Sequence, residues 1–99
     1  MNAYQYRVTV EALTDARGQL VDGRSLTFEA ANHDDLLAIV ERTRSRQIMD
    51  DDTAAAMIVG LKLFAEVALA RRSDPMFATM SAALGQFIRE WKARASQPA

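Results

Sequence analysis

One segment limits what this chain can fold into more than any other. Projected at about 100° per residue, Thr53–Arg72 puts Met57, Ile58, Leu61, Ala65, Ala68 and Leu69 on one side of a helix. Val59, Gly60, Leu63, Phe64, Val67 and Ala70 fill most of the other. Lys62 and Glu66, one turn apart, leave a narrow polar wedge between them. A helix that is apolar nearly all round has to be covered nearly all round, by the rest of its own chain or by another. Gly60 costs about 1 kcal/mol against alanine in a helix interior. With Ala56 one turn earlier it makes a smooth patch where a second backbone can approach closely. The longest uncharged apolar stretch, Thr53 to Leu61, is far short of the roughly 20 residues of a membrane span, so no membrane association is expected.

The rest of the pattern shows what is available as cover. Residues 4–13 alternate, with Tyr4, Tyr6, Val8 and Val10 on one face and Gln5, Arg7, Thr9 and Glu11 on the other. Residues 24–31 repeat the alternation with Leu26, Phe28 and Ala30 against Ser25, Thr27 and Glu29. Period-two alternation is the mark of a half-buried strand. The ten residues between the runs end in the turn pair Asp22-Gly23, so an antiparallel hairpin with a loose ten-residue connection is expected. Asn32 then reads as the N-cap of a first helix, with Asp35 at the capping-box position. An Asp among Asp50–Asp52 caps the second helix. Asp74-Pro75 opens a third, along which Phe77, Met80, Leu84, Phe87 and Trp91 form one stripe. The expected fold is α+β, in the order ββααα. The 99 residues form a single domain with a core over about 4–94 and a frayed tail at 95–99.

Composition narrows the chemistry. Twelve Lys and Arg against thirteen Asp and Glu give a net charge of −1, which makes nucleic acid an unlikely partner. With no cysteine, disulfides, thiolate zinc sites and thiol catalysis are excluded. The first residues carry no basic stretch followed by an apolar run, and the cytoplasm is the expected location.

His33, Asp34 and Asp35, with Asp50, Asp51 and Asp52, are the candidate metal ligands. Their spacing matches no His-Glu-x-x-His motif and no calcium loop. Both clusters fall at helix starts, where carboxylates satisfy free N–H groups and oppose the dipole. No metal and no cofactor is therefore expected. His33, the one histidine, has no identifiable nucleophile to serve, and no phosphate loop or nucleophile elbow is present, so an enzyme is not expected. Arg42, Arg44, Arg46, Arg71 and Arg72 could gather into an anion site, but helix-end compensation already accounts for them. Lys62 and Glu66 read as an intrahelical pair, with contact to a symmetry mate as the alternative.

Tyr6-Arg7-Val8-Thr9-Val10-Glu11, Arg24-Ser25-Leu26-Thr27-Phe28-Glu29, Asn32-His33-Asp34-Asp35-Leu36 and Gly60-Leu61-Lys62-Leu63-Phe64-Ala65-Glu66-Val67 resemble a family of small bacterial proteins classed as a domain of unknown function. The resemblance spans about residues 4–93 and implies a complete single-domain bacterial protein; it carries over no active site. The functional expectation is a non-enzymatic interaction or adaptor module, homodimeric through Ala56, Gly60, Lys62, Leu63, Glu66 and Val67. The alternative is a small regulator that binds nucleic acid or an anionic ligand through its Arg clusters. A metal-dependent activity at the acidic clusters is the third reading.

Overall fold

The computed structural model describes residues 2–96. The element order is β1 (Tyr4–Glu11), β2 (Ser25–Asn32), α1 (Leu36–Ser45), α2 (Asp51–Ala70) and α3 (Pro75–Ala95). This is the expected ββααα, α+β arrangement. The chain forms two compact units, residues 1–33 and 34–99.

In the first unit β1 and β2 pair antiparallel, with Val8 opposite Phe28 and Thr9 opposite Thr27. The register keeps Tyr6, Val8, Val10, Leu26 and Phe28 on one face, since side chains alternate with period two. The other face carries cross-strand polar pairs. Arg7 meets Glu29 at 3.4 Å, and the hydroxyls of Thr9 and Thr27 lie 3.0 Å apart. Such exposed pairs contribute a few tenths of a kcal/mol each and mainly fix register.

The connection between the strands is not loose. The Asp15 carboxylate accepts from the backbone N–H groups of Arg17 (2.9 Å) and Gln19 (3.0 Å), and Thr14 pairs with Leu20 across the turn. Gly18 supplies the φ of +80° that this turn requires. The ladder thus continues past β1 as a short second hairpin. Two extra residues on the returning side are absorbed at Asp22-Gly23, where Gly23 takes φ +73°. An aspartate bonding its own downstream backbone replaces the missing strand pattern.

In the second unit each helix starts on an aspartate. Asn32, expected to cap α1, is instead the last residue of β2, opposite Tyr4, and is buried. The cap is Asp35, which accepts from the Ala38 N–H at 3.2 Å. Strand pairing holds Asn32 in extended backbone, so the helix begins later. Asp50 accepts from the N–H (3.1 Å) and hydroxyl (2.6 Å) of Thr53 and caps α2. Asp74 caps α3 through the Met76 N–H, with Pro75 at the first helical position. α1 closes through Gln47 at φ +56°, a left-handed stop commonly made by glycine. At the far end Ala95 is the last helical residue and Ser96 caps it. Residues 97–99 of the expected tail lie outside the described residues.

Short connections run α1, α2 and α3 back and forth, and α1 and α3 each pack on α2. The core is narrow: its buried apolar side chains are Leu36 and Val40 of α1 and Ala54, Ile58 and Ala68 of α2. No residue of α3 is buried. Ile58, 2% exposed, is the largest fully enclosed side chain among the described residues, and Ile58→Ala should cost about 2–4 kcal/mol in urea unfolding.

The Thr53 hydroxyl, followed by the Thr53 N–H, holds the Asp50 carboxyl below its ordinary value of 3.8. A group lowered in the folded state contributes stability that is present above its unfolded value and lost as pH falls through the folded one. Asp50→Ala should therefore flatten the acid limb of the stability curve below about pH 4, measured by urea midpoints between roughly pH 5 and pH 2.

Candidate functional site: an uncovered apolar face and a cationic cleft

The second unit carries two features with functional potential, and α2 positions both. On its inner side Ala54, Ile58 and Ala68 are buried. On its outer side Ala56 and Gly60 are exposed, Phe64 is 42% and Val67 47% exposed, and Leu63 is half-buried. A Cβ added at Gly60 would meet nothing within 4 Å. Met57 faces Phe87 and Trp91 of α3 across a small cavity. Phe64 lies about 20° from Met57 on the helical projection, so the bare side of α2 adjoins α3. There Met80 and Phe87 of the expected apolar stripe remain exposed, while Phe77, Leu84 and Trp91 are half-buried.

Of the six residues expected at an interface, Ala56, Gly60, Leu63 and Val67 share this side. Phe64, which lies beside them, was missing from that set. Lys62 and Glu66 sit elsewhere on the circumference. The Lys62 ammonium donates to the Asp34 carboxylate at 3.0 Å, and its side chain is 16% exposed. That partner lies 28 residues away, beyond the reach of a pattern read within one helix.

The acidic clusters are divided among structural tasks. Asp34 holds Lys62, Asp35 and Asp50 cap helices, and Asp51 and Asp52 occupy the first turn of α2. His33 closes the other unit. Among the described residues no three His, Asp or Glu side chains gather in a way that could hold a metal ion.

The five arginines also separate. Arg44 donates from Nε to the Asp51 carbonyl (3.1 Å), tying α1 to the start of α2. Arg72 donates to the Leu69 carbonyl (2.9 Å) at the other end of α2. The twenty residues of α2 separate those ends by about 30 Å. Arg71 caps the end of α2 beside Arg72, and Arg42 and Arg46 line a cleft with Trp91 and Lys92 of α3. Lys92 and Trp91 belong to no sequence motif shared with the arginines. The antiparallel return of α3 brings them there.

α2 is also the one helix among the described residues that is long and apolar enough to cross a membrane by length and composition, with a mean hydropathy of 1.7.

A hairpin followed by three aspartate-capped helices, with no gathered catalytic or metal-binding side chains among the described residues, defines a small α+β module. The chain belongs to the DUF3861 family, a domain of unknown function with a solved structure, whose model matches residues 4–93. A crystal structure of a protein of unknown function from Pectobacterium atrosepticum is similar to it, with 33% identity and a TM-score of 0.77. The match covers 93% of this chain and 99% of that one. No curated protein matches the chain.

Because the space above Gly60 is open within one chain, Gly60→Ala should raise the intrinsic stability of α2 by about 0.5–1 kcal/mol. Urea unfolding at the lowest workable protein concentration, where association contributes least, measures it.

Proposed function

We propose that this chain is a non-enzymatic protein-interaction module that acts as a homodimer through the outer side of α2 and the adjoining stripe of α3. The observation that carries the reading is the apolar surface left bare on one side of α2, where Ala56 and Gly60 are exposed and Phe64 and Val67 are 42% and 47% exposed. A contiguous exposed apolar patch of this kind marks an interaction surface. Phe64, Val67, Met80 and Phe87 supply the apolar residues that such interfaces concentrate at their centre. Ala56 and Gly60 let two backbones come close.

A second copy fits this face better than lipid does. Lys62 and Glu66 stand in the middle of α2. Carrying the Lys62–Asp34 pair into hydrocarbon would cost several kcal/mol, whereas a protein partner leaves that side of the helix in place. The division of the acidic residues among caps and the Lys62 pair supports the non-enzymatic part of the reading.

Sedimentation equilibrium at about 10 μM should give twice the 11.0 kDa chain mass. Val67→Glu should return the mass to that of one chain with helical content unchanged, because a buried unpaired carboxylate opposes association. Leu20→Glu, at an 88% exposed position in the hairpin turn, should leave the dimer intact. A wild-type chain that stays at 11.0 kDa up to about 100 μM, or a Val67→Glu dimer of unaltered strength, overturns the assignment.

A further inference from the structure

The cleft between the closing halves of α1 and α3 has a volume of about 330 Å³, at the lower end of the range for small-ligand sites. Arg42 and Arg46 stand one turn apart on its α1 wall. Lys92 and Trp91 stand on its α3 wall, with Ile39 and Ala95 adding apolar lining. No Asp or Glu among the described residues lines it. Among the described residues none of the three cationic side chains is paired with a carboxylate.

We infer that this cleft binds a small planar organic anion, an aryl or heteroaryl phosphate or carboxylate, with its charged group on Arg42, Arg46 and Lys92 and its ring against Trp91. The helix ends here give the first objection, since α1 and α3 both finish at this cleft. Each C-terminus presents about half a negative charge. Two such ends offset about one of the three formal positive charges, so a net attraction for anions remains. Guanidinium groups are suited to this work because their planar fork takes phosphate and carboxylate oxygens in pairs. The indole selects for a flat apolar body, through stacking with a π-face. A bare inorganic ion would leave that wall unused, and a neutral arene would leave the cations unused.

The site draws on none of Ala56, Gly60, Phe64 or Val67 and shares only Trp91 with the α3 stripe, so the Val67→Glu variant, which leaves every lining residue in place, separates its failure from that of the dimer. Trp91 is the one tryptophan in the chain, and its fluorescence reports occupancy directly. The full chain is titrated with phenyl phosphate, benzoate, inorganic phosphate and benzyl alcohol. Phenyl phosphate or benzoate should saturate the signal with a Kd of about 1 mM or tighter, and the tighter of the two identifies the preferred head group. Inorganic phosphate and benzyl alcohol should each bind at least about tenfold more weakly.

Arg42→Gln/Arg46→Gln should weaken the preferred aryl anion by about tenfold or more. Arg17→Gln/Arg71→Gln, which removes the same charge elsewhere, should leave it unchanged, with circular dichroism confirming that both variants are folded. The inference is overturned by absence of saturation up to about 20 mM, by equal affinity for inorganic phosphate and phenyl phosphate, or by equal losses in the two double variants. It is also overturned if a single-stranded oligonucleotide binds far more tightly with a steep salt dependence, which would mark an extended phosphate surface instead.

Discussion

The structure depends on how little of α2 one chain can enclose. A helix about 10 Å across that is apolar on nearly every side needs neighbours all round it. α1 has ten residues and α3 has twenty-one, and both pack on α2. The short helix contributes the deeper burial, through Leu36 and Val40, while the long one contributes no fully enclosed side chain. The core of the helical unit is therefore a line of contact, not a volume. A line of contact limits stability, since the apolar area removed from water sets most of the driving force. Any partner that covers the outer side of α2 adds to folding and to association at once.

The same economy appears at the helix ends. Three aspartates, Asp35, Asp50 and Asp74, each accept from a backbone N–H in the first turn. Arg72 and Arg44 each donate to a backbone carbonyl near a helix end. In a chain with few buried side chains, local hydrogen bonds specify where each helix starts and stops. They do not specify which faces meet. That falls to α2 through Ile58 and its small neighbours Ala54 and Ala68, which let α1 and α3 approach it closely.

Much of this was legible from residue order, for identifiable reasons. Strand alternation in Tyr6-Arg7-Val8-Thr9 and the Asp74-Pro75 start are local signals, and the structure honours both. The α1 start was misplaced because Asn32 is a good cap in isolation, yet the strand partner Tyr4, twenty-eight residues earlier, claims it. The inter-strand turn was read as loose because its order comes from one side chain, Asp15, and not from an apolar pattern. Asp34, which pairs with Lys62 from the approach to α1, lies outside any pattern read within one helix. The misplaced α1 start and the unforeseen Lys62–Asp34 pair come from contacts between distant positions, whereas the turn's order is local but carried by one polar side chain.

The cationic cleft follows from that same interplay. Arg42, Arg46 and Lys92 each have a sufficient local reason, since basic residues in a closing turn oppose the negative end of the helix dipole. That reason accounts for one helix at a time. It does not account for what happens when α1 and α3 close at the same end of α2. Charges placed to balance two separate dipoles then line one cleft together with Trp91, and among the described residues no acidic side chain joins them. Mutual repulsion of three cations around one cleft is a standing cost that a bound anion removes. Arg71 and Arg72, at the other end of α2, meet no such convergence, since α1 does not end there. Topology, more than the number of basic residues, therefore separates a balanced helix end from a place where an anion can sit.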